Sequence, residues 1–152
     1  MVEHAPRRTA PNAAGSMTTT LDDYTKFFTA LINHEGLTKK TFDEMTNTQV
    51  RIRSKKQFGP GAAIDSTGND DIRLSYGLGL GVFYTPYGRA FFKEGHDDGW
   101  VHYVIGFPDK GIAVVIMCND TKGESIFKEL VEKITGVTIP WEWEGYTPYR
   151  AR

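Results

Sequence analysis

Apolar residues recur along this chain with two different periods, and the change of period divides it. Near the N-terminus Leu21, Tyr24, Phe27, Phe28, Leu31 and Ile32 follow the three-to-four spacing of one helix face. Thr20, with Asp23 three positions on, forms a capping-box pattern at the start, and Gly36 is a natural stop. A shorter helix is predicted over Lys39 to Thr46, with Thr38 as cap and Phe42 and Met45 facing inward. From Asn47 to Ser75 neither period holds. Val50 and Ile52 alternate with arginines and can form a brief strand, while GPG at 59–61 and STGNDD at 66–71 are loop chemistry.

Beyond Ser75 the period becomes two. Tyr76, Leu78, Leu80, Val82 and Tyr84 alternate with Gly77, Gly79, Gly81 and Phe83, which predicts one strand with a bulky face and a nearly bare one. TPYG at 85–88 is a turn, and Arg89 to Lys93 returns as the second strand of a hairpin. Trp100 to Phe107 is a third strand and PDKG at 108–111 a second turn. Ile112 to Cys118, continuously apolar, is expected as a fourth strand buried on both faces. Asp120 or Thr121 then caps a helix whose inner stripe is Ile126, Phe127, Leu130, Val131 and Ile134, ending at Gly136. The expected fold class is α+β: an antiparallel meander of about four strands, helices before it and one helix packed on it. Residues 1–19 read as an extended lead-in, 20–136 as the domain, and 137–152 as an aromatic tail lying across a surface.

Composition narrows the partners. The chain has 152 residues, 39% hydrophobic and 24% charged, with net charge −1, so it suits one globular domain and offers no electrostatic case for nucleic acid or an anionic membrane. Arg51, Arg53, Lys55 and Lys56 read as a solvated strand or loop face. The apolar runs are strand-length, so no membrane span is expected. Cys118 is the only cysteine, which excludes an internal disulfide and a multi-thiolate metal site; a buried, inert thiol is expected. The N-terminal residues carry Pro6, Arg7 and Arg8 and no apolar core of an export signal, which as written points to the cytoplasm.

The densest candidate chemistry is KEGHDDGW, residues 93–100, between two predicted strands. A lysine, a glutamate, a histidine and two aspartates in six positions can be a metal site, an acid–base cluster or a polar hairpin corner. The metal reading needs His96 with His102 or Asp97, yet neighbours on a strand point to opposite faces, and the spacing matches no common metal motif. The corner reading makes Asp97, Asp98 and Gly99 the turn and the charges solvated. His4 and His34 fall where solvated histidine is the default, and His102 alternates with Trp100 and Val104 toward a sheet face or rim.

KEGHDDGW, followed by HYVIGFPDKGIAVVIMCND and a helix, resembles the C-terminal segment of the serine β-lactamase and penicillin-binding-protein superfamily. The likeness is to its class C-like branch with D-Ala-D-Ala carboxypeptidases and esterases. Lys93, Glu94 and Gly95 align with that family's Lys-Thr-Gly triplet, and Trp100 falls on the aromatic after it. Upstream, AAGSMTTTLDDYTKFFTALIN at 13–33 resembles the family's Ala-Gly-Gly-x-x-Ser-Thr segment and its helix. GLTKKTFDEM at 36–45 resembles the next short helix, and YGLGLGVF at 76–83 the strand leading to the hairpin. The resemblance spans about residues 13–136 and implies a partial β-lactamase-like fold.

It also implies roles. Lys93 would attract a substrate carboxylate and tune nearby protonation. Gly95 would keep the strand surface clear, and the backbone N–H of His96 would be an oxyanion-hole donor. Glu94 stands where the family has threonine or serine, so with Asp97 it would border the substrate, and its charge bears on recognition of a carboxylate. No cofactor is implied. The family's nucleophile comes from an SxxK motif opening a helix, with a Tyr-x-Asn or Ser-x-Asn element beside it. These 152 residues hold one SxxK string, Ser125 to Lys128, in the last predicted helix, and no tyrosine or serine two positions before an asparagine. The expectation is therefore the C-terminal portion of an amide or ester hydrolase, inactive alone and served by a complementary segment or chain carrying SxxK. The alternative is a non-catalytic binding domain that self-associates through exposed sheet surface, as bare apolar surface favours.

Overall fold

The computed structural model describes residues 10–13 and 15–144, without the side chains of Trp141 and Glu142. Its elements are α1 (Leu21–Ile32), α2 (Lys39–Met45), β1 (Val50–Arg51), β2 (Ser75–Tyr76), β3 (Gly81–Thr85), β4 (Gly88–Asp97), β5 (Trp100–Phe107), β6 (Ile112–Cys118), α3 (Phe127–Thr135) and α4 (Trp141–Glu144). The strands form one antiparallel sheet in sequence order, β1 to β6. The class is α+β, as expected, with six strands in place of about four.

The sheet is covered on both sides, and alternation along β4 decides which residue meets which layer. Phe91 packs with Phe28, Leu31, Ile32 and Phe42 of α1 and α2. Phe92 faces the other way, into a core with Tyr103, Phe127, Val131, Val137, Ile139 and Trp143. Gly81 and Gly106 make room for these rings: a Cβ at Gly81 would lie 2.2 Å from the Phe92 ring, and one at Gly106 2.6 Å from that of Phe91.

Both N-terminal caps form as predicted. The Thr20 hydroxyl accepts the Asp23 N–H at 3.2 Å, and that of Thr38 the Thr41 N–H at 3.1 Å. The first helix ends at Ile32, short of Gly36, because His34 takes a left-handed conformation (φ 61°) and turns the chain.

Four local expectations are corrected. The strand predicted from Tyr76 to Tyr84 is two strands. Gly79 adopts φ 84°, and Gly77 sits where a Cβ would be 2.3 Å from the Met45 carbonyl, so the chain folds back and Ser75 pairs with Val82. The alternating glycines thus serve a turn and close backbone approach, not a bare strand face. β6 is an edge strand, with Ile112 and Ala113 exposed and only Val114 buried. On the last helix Phe127 and Val131 face the sheet, while Ile126, Leu130 and Ile134 are exposed. Ile126 lies in the 3-10 turn Thr121–Ile126, which rotates it off the inner stripe. Cys118, also at the edge, is half-buried, its thiol donating to the Asp120 carbonyl at 3.3 Å.

The tail contains a short helix, α4, after all, and Val137, Ile139 and Trp143 ahead of and within it join the core. His4 and residues 145–152 lie outside the described residues. No described helix is long and apolar enough to cross a membrane.

Candidate functional site

The distal half of β4 differs from its proximal half. β3 pairs with β4 only as far as Gly81 opposite Phe92, so among the described residues Lys93 to Asp97 have a strand neighbour on one side only, β5. The direction of each backbone group follows from the hairpins. Pairs closing two-residue turns, Thr85 with Gly88 and Asp97 with Trp100, exchange main-chain bonds, and the sense alternates from there. Odd-numbered residues of β4 therefore address β5. Glu94 and His96 direct their N–H and C=O to the open edge, and the Lys93 amine has already turned to the Glu94 carbonyl there, at 3.0 Å.

Side-chain faces follow the same alternation. Lys93 and Gly95 lie on the α1 side, opposite Val104 and His102 of β5. Over this patch is a cavity of about 490 Å³ bordered by Lys93, Gly95, Trp100, His102, Tyr24 and Met17. The lead-in contributes Met17 with Ala13, Gly15, Thr18 and Thr19, so it roofs the strand that bears the motif. A Cβ at Gly95 would meet nothing within 4 Å: its bareness opens space toward the cavity and is not needed for packing. Burial raises the Tyr24 phenol above its ordinary range, so it faces the cavity as a neutral hydroxyl.

Glu94 and His96 also border the cavity, and Asp97 does not. Lys93 is bound by its neighbour, its amine 3.1 Å from Glu94 Oε2, with Glu94 largely buried and Lys93 half-exposed. Glu94 lies on the α3 side, where the Gln57 amide donates to its Oε1 at 2.7 Å. His96 and Asp97 are exposed, and the Asp97 carboxylate accepts the Asp98 N–H at 2.9 Å in the turn. No group of three or more His, Cys, Asp or Glu able to hold a metal occurs among the described residues.

His102 had no signal in sequence beyond its strand parity. It lies across the ladder from Gly95, its ring stacked on Trp100 at 4.8 Å between centroids. Its Nδ1 is buried without a hydrogen-bond partner. The Ser125–Lys128 string is elsewhere: Ser125 is buried and donates to the Lys122 carbonyl at 2.8 Å, and Lys128 pairs with Glu132. Both groups are engaged in local helix structure, and neither borders the cavity.

This arrangement can hold an extended ligand along the open β4 edge, beside an ammonium group and a bare glycine, with the N–H groups of Glu94 and His96 directed outward. A family model described as Beta-lactamase matches residues 1–137. No curated protein and no solved structure matches the chain. With nearly its whole length under that match, and with the helix–sheet–helix order around the Lys93–Gly95 strand, the chain belongs to the Beta-lactamase family.

Proposed function

We propose that these residues form the substrate-strand half of a serine hydrolase acting on an amide or ester through an acyl-serine. The open edge of β4 carries this reading: Lys93 and Gly95 face one cavity while the His96 N–H points outward beside it. An N–H so placed can stabilise the oxyanion that forms when the carbonyl is attacked, and Gly95 lets the substrate backbone lie against the strand. Lys93 supplies positive charge, muted by Glu94; Glu94 and Asp97 act at the borders of the substrate. The attacking serine comes from a segment other than Ser125–Lys128, since Ser125 is buried away from the cavity.

The test is hydrolysis of a chromogenic β-lactam and a p-nitrophenyl ester by the chain, alone and mixed with an SxxK-bearing segment of the same family. Turnover is expected only in the mixture and is lost with Gly95→Val. Turnover by the chain alone that disappears in Ser125→Ala would overturn the assignment.

A second reading, a non-catalytic association domain, is favoured by one feature. Among the described residues the outer edge of β6 is unpaired and carries no charged residue, and exposed Ile112, Leu21, Ile126, Leu130 and Ile134 lie on the elements around it. Edges of this kind invite another strand. Light scattering decides it: a monomer at tens of micromolar speaks against self-association.

A further inference from the structure

Behind β4, on the face away from the cavity, the C-terminal strap is fastened to the motif strand by polar groups. Tyr103, directly opposite Glu94 in the ladder, donates its hydroxyl to Glu144 Oε1 at 3.4 Å. Gln57 ties the two together: its side-chain amide donates to Glu94 Oε1 and its backbone N–H to the Trp143 carbonyl, both at 2.7 Å. The Trp143 indole N–H donates to Ser54 Oγ at 3.1 Å, and its ring meets Tyr76 and Phe92 edge-on. Glu144 is only 4% exposed, and among the described residues its Oε2 is buried without a hydrogen-bond partner, as is Oε1 of Gln57. Buried acceptors left without a donor are costly. A proton on Glu144 turns its orphan oxygen into a donor, whereas a carboxylate leaves it an acceptor under the repulsion of the Glu94 charge.

We propose that the Val137–Glu144 strap is a pH-sensitive clamp on the back of the substrate strand, with Glu144 as its positioning residue, docked as the neutral acid and released when it ionises. The clamp bears on function through the reading of β4 given above, but its operation does not depend on that reading.

Among the described residues the charged and titratable groups facing Glu144 are Glu94 and Lys93 from β4, Tyr103 from β5 and Tyr76 from β2. Burial first, then the Glu94 charge, holds the Glu144 carboxyl well above the usual carboxylate range; Tyr103 and Lys93 oppose this less strongly. Burial also pushes Tyr76 up to about 12, helped by the charges of Glu94 and Glu144, so it stays neutral while the clamp works. An acid that binds its proton more tightly when docked favours docking at low pH. That advantage is lost as pH rises from the ordinary carboxylate value through the raised one. Release would also take Gln57 from Trp143, leaving Glu94 free to shift and with it the amine of Lys93.

Hydrogen exchange of the intact chain between about pH 5 and about pH 9, corrected for intrinsic rates, tests the clamp. Segments 137–144 and 92–97 are expected to lose protection together by roughly tenfold or more. Glu144→Gln should abolish the pH dependence in both segments, and Glu94→Gln should lessen it by removing the facing charge. Protection that is independent of pH in the unaltered chain, or a Glu144→Gln profile that follows it, would overturn the clamp. Neither result depends on hydrolysis, so failure of the clamp is distinguishable from failure of the hydrolase reading.

Discussion

Glycines that look alike in sequence do different work here. A Cβ at Gly81 would strike the Phe92 ring, whereas one at Gly95 meets open space. Gly81→Ala should therefore cost on the order of 1–3 kcal/mol from overpacking. Gly95→Ala should leave urea stability unchanged or slightly raised, since alanine is the less costly residue to order in a strand. A Gly95→Ala protein as unstable as Gly81→Ala would remove the open space from the candidate site. Asp43 is a second case. Hydrogen bonds from Lys39 first, and then Arg89, hold its carboxyl below the usual range. The Arg89 bond, at 2.8 Å, ties α2 to β4. A depressed carboxylate stabilises the fold above its unfolded value, and that contribution fades as pH falls. Melting curves should show Asp43→Asn less stable than the unaltered chain near neutral pH, with the gap closing toward about pH 3.

At the scale of elements, α3 separates what burial needs from what sequence offers. Five apolar residues fit one helical stripe, yet only Phe127 and Val131 of them are buried: Ile126 belongs to a tighter turn, and Leu130 and Ile134 are exposed on α3 itself. Phe127→Ala should cost about 3–5 kcal/mol, and Leu130→Ser or Ile134→Ser less than about 0.5 kcal/mol unless the chain associates. Denaturant unfolding at two protein concentrations reads both effects. A concentration-dependent loss in the serine variants would mean that this stripe is an interface. β6 is a related case: its unbroken apolar run reads as a doubly buried strand, but it sits at the edge of the described sheet.

In the whole molecule the sheet lies between α1 with α2 on one side and α3 with the strap on the other. The strap is part of the core, since Val137, Ile139 and Trp143 are all buried against β4 and its neighbours. Fully burying such a side chain is worth about 1.5–3 kcal/mol. A chain ending at Gly136 should thus lose several kcal/mol in urea unfolding and expose the Phe92 face to a hydrophobic dye. Unchanged stability would show that the strap contributes little.

Much of this was local and so legible from residue order. The caps at Thr20 and Thr38, the two turns after β3 and β5, and the bounds of β5 and β6 depend on neighbours a few positions apart. The KEG triplet and its surroundings were also readable, because family resemblance lies in the spacing of a few residues along the chain. Three-dimensional packing decided the rest. Whether a glycine opens a cavity or admits a ring depends on a residue on another strand, as at Gly95 and Gly81. That the Glu94 side chain meets Gln57, 37 positions away, follows from strand pairing and not from composition. Lys93, Glu94, Gly95 and His96 could be singled out from residue order, but the outward N–H of His96, the orphan nitrogen of His102 and the clamp at Glu144 come from which edges and faces the fold leaves open or covers.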